Sequence, residues 1–122
     1  MQRDMDLIRA LLLRIEQDPT LDGTRWVGFT PAELGMEDRS PNEVGYHLDL
    51  LIEAGFVQGK SHGETIPAIC KLTWQGHEFL DSIRDPGVWI STKERIKGLA
   101  SVTLPVIAAI AEAEIKRRLG LP

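Results

Sequence analysis

Cysteine is nearly absent from this 122-residue sequence, and long apolar runs are missing altogether. The single cysteine, Cys70, excludes an intramolecular disulfide framework and a cysteine-rich zinc site, and it suits a reducing, cytoplasmic compartment. The longest uncharged, mostly apolar stretch covers residues 98–111, which is shorter than the about 20 residues of a membrane span. Asp4 and Asp6 stand where a secretory signal would carry basic residues, so we expect neither a signal peptide nor a membrane partner.

Basic residues are also scarce over most of the chain. The composition, 43% hydrophobic and 26% charged, is that of a soluble globular domain, and the net charge is −4. Residues 21–59 hold two basic and seven acidic residues, whereas residues 86–122 hold six basic and three acidic residues. A general nucleic-acid binder usually carries a basic stripe. The two basic clusters here, residues 93–97 and 116–118, are typical of solvated helix ends.

The first half of the chain predicts three helices. Apolar residues recur at three- and four-residue steps over residues 4–17, which indicates an amphipathic helix. Thr30-Pro31-Ala32-Glu33 and Ser40-Pro41-Asn42-Glu43 are two capping boxes, each with proline at the first helical position. The first box predicts a short helix ending at Gly35, and the second a helix over residues 41–54. Two closely linked helices of this kind are typical of a helix-turn-helix.

A β-hairpin follows directly. Residues 56–58 and 66–72 are predicted as strands around a Gly-rich turn, and residues 26–29 add a short β-like run. A further helix is predicted over residues 74–83, ended by Asp85-Pro86-Gly87. Together these elements predict an α+β, helix-dominated winged helix-turn-helix domain over residues 1–88, with the hairpin as its wing.

The last third of the chain predicts a separate helical extension, residues 89–122. Ser91-Thr92-Lys93-Glu94 is a third capping box, and a helix is expected from there to Leu119, bent near Pro105. Between residues 99 and 111 it is apolar on nearly every side, so more than one side must be covered. We therefore expect self-association, as a homodimer, through one stripe of this helix: Leu99, Val102, Val106 and Ile110.

Several segments also resemble a known family. They are Met1–Arg9, Tyr46-His47-Leu48 with Ala54-Gly55-Phe56, Leu72-Thr73 and Gly76–Arg84, followed by Trp89 and Lys93. They resemble domain-of-unknown-function family 2513, a group of small bacterial and prophage-borne proteins, over about residues 1–110. The resemblance implies a winged-helix-like fold and a phage or mobile-element setting, and it implies no reaction. Residues 46–56 and 72–84 are more loosely similar to winged-helix transcription regulators.

The predicted fold favours a dimeric, DNA-binding transcription regulator. The second helix of the pair would enter the major groove of double-stranded DNA and the wing would lie beside it. The candidate contacts are Arg39, Asn42, Glu43, Tyr46, Lys60 and His62. That helix has no lysine or arginine, however, and phosphate neutralisation dominates affinity for DNA. The alternative is a protein-interaction module that keeps the fold without reading DNA.

Catalysis has little support in the sequence. No metal-ligand spacing, phosphate-binding loop or nucleophile motif is present, so we expect no enzyme activity, metal or cofactor. His47 lies on or beside the apolar stripe of its helix and is expected in the core. Trp26, Trp74 and Trp89 lie at element edges, where they either close a small core or anchor an interface.

Overall fold

The computed structural model describes residues 1–61 and 63–122, and within them the fold is α+β and rich in helix. The helices are α1 (Met5–Gln17), α2 (Pro41–Glu53), α3 (Trp74–Ile83), α4 (Pro86–Ile96) and α5 (Leu104–Arg118). The strands are β1 (Asp22–Val27), β2 (Val57–Lys60) and β3 (Ala68–Leu72). The chain forms two compact units, Met1–His77 and Glu78–Pro122. The predicted boundary between a winged-helix domain (residues 1–88) and a helical extension (residues 89–122) stays a prediction.

Helix α1 supplies a large part of the core of the first unit. The Asp4 carboxylate accepts a hydrogen bond from the Leu7 N–H (3.1 Å), which satisfies one of the donors left open at a helix start. The apolar residues at three- and four-residue steps then form one buried face: Leu7, Ile8, Leu11, Leu12 and Ile15. The helix predicted over residues 4–17 is confirmed.

The sheet has three antiparallel strands in the order β1-β3-β2. Val57 pairs with Leu72 and Lys60 with Ala68, and the register shifts between Gln58 and Gly59. The central strand β3 places Ile69 and Leu72 in the core and leaves Lys71 exposed. The predicted hairpin is confirmed, with its strands at Val57–Lys60 and Ala68–Leu72. His62, a candidate contact in its turn, lies outside the described residues.

Of the two predicted helices of the helix-turn-helix pair, one forms. At α2 the Ser40 hydroxyl accepts from the Glu43 N–H (3.1 Å), and Gly55, with φ +78°, ends the helix as expected. At the first capping box the reciprocal bonds between Thr30 and Glu33 do form (2.9 and 3.2 Å). Residues 31–35 nevertheless make hydrogen-bonded turns and no α-helix, because Gly35 takes φ +72° after a single turn. A single turn forms too few hydrogen bonds to offset the conformational entropy lost when a helix is nucleated.

The second unit corrects two predictions about the last third of the chain. Ser91–Glu94 do not start a helix but lie inside α4, which begins earlier because the Asp85 carboxylate accepts from the Val88 N–H (2.9 Å). α4 ends at Ile96, before Gly98 with φ +91°. Pro105 therefore lies in the first turn of the separate helix α5 and does not bend a longer one. No helix in residues 1–61 and 63–122 has the length and apolar character needed to cross a bilayer.

Candidate interaction surface on helix α2

His47 ties α2 to the start of α1. Its side chain is fully buried, and its Nε2 accepts a hydrogen bond from the Asp4 backbone N–H at 2.8 Å. Nδ1 therefore carries the proton and donates to the Glu43 carbonyl, also at 2.8 Å. The Tyr46 ring meets the His47 ring edge-on, with centroids 5.6 Å apart. His47 is a core residue, as expected, and it connects α2 to the residue that caps α1.

Arg39, a candidate phosphate contact, is held inside a network of acids. Its Nη1 lies 2.7 Å from Asp4 Oδ2 and 3.3 Å from Glu43 Oε2. Burial raises the pKa of Asp4, but hydrogen bonds from Arg39 and the Leu7 N–H outweigh it and lower the pKa overall. The hydrogen bond to Asp4 raises the pKa of Arg39 in turn. One guanidinium between two carboxylates leaves this group of three side chains with a net negative charge.

The outer face of α2 carries no basic residue. Asn42, Tyr46 and Glu53 are exposed there, and Asp49 is half-buried among them. Partial burial, followed by the neighbouring charge of Glu53, raises the pKa of Asp49. The structure therefore brings the predicted contacts Asn42, Glu43 and Tyr46 together on one face, and that face is acidic. We call this set, Asn42, Glu43, Tyr46, Asp49 and Glu53, the acidic face.

The loop between β2 and β3 lies directly against α2. A Cβ placed on Gly45 would stand 1.8 Å from the Thr65 carbonyl oxygen, so only glycine allows this approach. Beside this contact is an open, mostly apolar groove of about 440 Å³. Phe29, Pro31, Pro41 and Ile66 line it, with Glu33 and Glu64 among the polar side chains. The groove was not predicted from the sequence, although a glycine inside a helical pattern is a signal for close packing.

Lys60, the candidate wing contact, lies on the exposed side of the sheet. Its Nζ is 4.8 Å from the centroid of the Trp26 ring, a cation–π contact with a side chain that is 42% exposed. Lys71 is exposed on the neighbouring strand and pairs in register with Gln58. Asp22, also exposed, pairs in register with Lys71 on its other side. We call the two lysines and Trp26 the sheet surface.

The candidate dimer residues do not form one helical stripe. Leu99 and Val102 lie in the segment between α4 and α5, and only Val106 and Ile110 belong to α5, because the helix is interrupted at residues 97–103. Leu99 and Val106 are 62% and 47% exposed, and Val102 and Ile110 are half-buried. The adjacent side of α5 is buried through Ile107, Ala111 and the carboxylate of Glu114.

Groups that could support metal or nucleophilic chemistry are dispersed. Within residues 1–61 and 63–122, no three His, Cys, Asp or Glu side chains are grouped so that they could hold a metal ion. Cys70 is buried in β3. His77 lies near a carboxylate, with Nδ1 3.7 Å from Glu16 Oε2. A pairing of this kind at a half-exposed histidine is common on protein surfaces and by itself assigns no activity.

Comparison with known proteins adds relatives but no activity. Residues 2–103 match the family described as hypothetical protein (DUF2513). A Haemophilus influenzae protein described as uncharacterized is 36% identical over 125 residues, covering 98% of this chain and 100% of that protein. No solved structure matches the chain.

Proposed function

The chain belongs to the DUF2513 family of hypothetical proteins, and we propose that it is a non-enzymatic interaction module whose acidic face binds a basic segment of a partner protein. The proposal places this face on a winged-helix-like scaffold over residues 1–88. The order helix α2, hairpin β2–β3, helix α3 supports that scaffold, while the turn at residues 31–35 departs from it. The observation that carries the proposal is the charge of α2.

The charge of α2 argues against insertion into a DNA groove. Affinity for DNA rests largely on neutralising phosphates with lysine and arginine, and α2 offers neither. Arg39 would be the nearest cation, but Asp4 and Glu43 already engage its guanidinium. Phosphates brought to this face would meet Glu43, Asp49 and Glu53 without a compensating charge. A lysine- or arginine-rich protein segment meets the same charges favourably.

The groove indicates a second property of the partner. It borders α2 at Pro41 and is mostly apolar, so it suits an apolar side chain next to the basic ones. The Tyr46 ring, 37% exposed on the acidic face, can take a lysine or arginine over its face. The partner segment is therefore amphipathic and combines one or two apolar anchors with cations.

Selection from a random peptide library tests this proposal while the partner is still unidentified. Peptides are selected on the wild-type protein and measured against the double variant Asp49→Lys/Glu53→Lys. Glu78→Lys/Glu112→Lys, which reverses two exposed acids of α3 and α5 and changes the net charge equally, is the matched control. We expect enriched peptides that combine lysine or arginine with an apolar residue, bind the double variant at least about tenfold more weakly and bind the control normally. Peptides that lack cations, or that bind all three proteins equally, contradict the proposal.

A dimeric DNA-binding regulator of phage or mobile-element type is the second candidate, favoured by the sheet surface. Lys60, Lys71 and the Trp26 ring lie on the exposed side of the hairpin sheet, where two cations can meet phosphates. Here the hairpin, and not α2, would contact the duplex. Fluorescence anisotropy with pooled genomic DNA fragments, at low and then physiological salt, tests it. Binding that survives salt for a subset of fragments and is lost in Lys60→Gln/Lys71→Gln supports this candidate, and binding that is equal for all fragments opposes it.

We also propose that the chain associates with itself through Leu99, Val102, Val106 and Ile110. Two of these apolar side chains are about half exposed or more. Exposing apolar surface to water is unfavourable, and a second copy that covers these side chains would remove that cost. Sedimentation equilibrium of Val106→Glu measures this. A shift from dimer to monomer in Val106→Glu, with Ser101→Glu unchanged, supports the proposal. A monomeric wild-type protein at high concentration opposes it.

A further inference from the structure

Basic residues from the two sequence clusters meet in the second unit around one buried carboxylate. Glu114 of α5 is 2% exposed. Arg117 donates to it from Nε and Nη2 (3.1 and 2.6 Å), and Arg118 donates from Nε (3.0 Å). Arg95 comes from α4, with Nη2 3.9 Å from Glu114 Oε2. We call Arg95, Arg117 and Arg118 the arginine cluster.

Glu114 holds two side chains of this cluster in place by accepting their hydrogen bonds. Hydrogen bonds from Arg117 and Arg118 lower the pKa of Glu114 to about 2, so it remains a carboxylate at neutral pH. The guanidinium groups stay accessible, because the side chains of Arg95, Arg117 and Arg118 are 56%, 66% and 42% exposed. A guanidinium has five N–H donors in a rigid plane. Arg117 gives two of these donors to Glu114 and Arg118 gives one, so both planes are oriented and their other donors remain for an external oxygen acceptor, while Arg95 is held only by the longer ion pair.

The charge of the cluster is opposite to that around Arg39. Three arginines face Glu114 and, at 3.9 Å from Arg118 Nη1, Asp85. Three cations against two anions give a net positive group, whereas Arg39 alone faces two carboxylates. The Ser91 hydroxyl, 3.4 Å from Arg118 Nη2, adds a neutral polar group at the edge. Residues 86–122, with six basic and three acidic residues, also form the most basic part of the chain.

We propose that the arginine cluster is a binding site for the phosphate groups of a nucleic-acid backbone. Oriented guanidiniums bind phosphate oxygens through paired N–H bonds, and net positive charge at the surface attracts the polyanion. Because the contacts are made to phosphates, the site binds without preference for base sequence. This site is separate from the acidic face and does not depend on the proposed protein partner.

The salt dependence of binding to a random-sequence DNA duplex tests the site in the full-length protein. Three phosphate contacts predict that affinity falls about 40-fold between 50 and 200 mM salt, and loss of one contact reduces this to about 12-fold. Arg95→Gln is the test variant, since Arg95 is the arginine farthest from Glu114 and its loss leaves the closer pairs intact. Lys116→Gln is the matched control: it removes an exposed cation of α5 that is two residues from Glu114 and points away from it.

The outcomes separate this proposal from the others. A lower salt dependence in Arg95→Gln, with Lys116→Gln and Lys60→Gln/Lys71→Gln unchanged, supports the arginine cluster. No binding at low salt overturns it, and so does a salt dependence that is the same in Arg95→Gln as in the wild-type protein. A loss confined to Lys60→Gln/Lys71→Gln also overturns it and assigns the phosphates to the sheet surface. Failure of the peptide selection on the acidic face leaves this result unaffected, because the two assays use different variants in different units.

Discussion

His47→Leu is expected to destabilise the first unit through one orphaned donor. Leucine fills much of the volume but cannot accept the hydrogen bond that the Asp4 N–H now gives to Nε2 at 2.8 Å. The Glu43 carbonyl loses the side-chain bond from Nδ1 but remains satisfied, because it also accepts the helical hydrogen bond from the backbone N–H four residues later. One lost bond and one unsatisfied donor together cost about 2–3 kcal/mol.

Urea unfolding followed by far-UV circular dichroism measures this change, and His47→Gln is the control. The glutamine amide oxygen can reach the position of Nε2 and accept from Asp4, so we expect a loss of about 1 kcal/mol or less. If His47→Leu unfolds at the same urea concentration as the wild-type protein, the link between α1 and α2 contributes nothing. If both variants lose the same stability, the Asp4 bond is not the cause.

Three further outcomes follow from close contacts. Gly45→Ala gains about 1 kcal/mol of helix propensity, but its methyl group must displace the Thr65 carbonyl by about 1.5 Å. We therefore expect thermal unfolding to show a net loss of about 1–2 kcal/mol in stability, whereas Asn42→Ala on the exposed face loses little. The pKa of Glu114, about 2 when folded against 4.5 as a free side chain, makes its stabilising contribution complete above about pH 4.5 and lost as pH falls towards 2. Glu114→Gln should therefore flatten the dependence of the melting temperature on pH between 5 and 2; an unchanged acid limb would contradict this. Arg39→Met should cost at most about 1 kcal/mol, since the ion pairs are partly exposed, and a much larger loss would mean the network is central to folding.

Part of the candidate surface could be predicted from the sequence. The absence of lysine and arginine between residues 41 and 54 is visible there, and a helix with an Asn-Glu-x-x-Tyr start must expose those side chains on one face. What the sequence could not give is the partner of Arg39. Asp4 is 35 positions away, and its pairing with Arg39 depends on α1 and α2 being packed together.

The sequence alone determined the elements that local signals specify. The helices α1, α2 and α3 and the hairpin follow from capping side chains, apolar periodicity and glycine stops, all of which act within a few residues. The start of α4 was missed although Asp85-Pro86 is itself a cap and first-turn pair, because the Ser91–Glu94 box competes with it in sequence. A short helix was predicted at residues 31–35, where the structure has only turns, because capping bonds at its start cannot extend a helix past Gly35.

Only the tertiary structure decided where the charges act. Arg39 stands beside acidic residues in the sequence and Arg95 between Lys93 and Lys97, but neither neighbourhood reveals which side chains meet them in the fold. Packing of α1 against α2 encloses Arg39 between two carboxylates, while α4 and α5 bring Arg95 to two more arginines around one buried carboxylate. The sign of the charge at a surface depends on the charged groups that lie within a few ångströms of one another. Which groups these are is set by which helices pack together, not by their order in the chain.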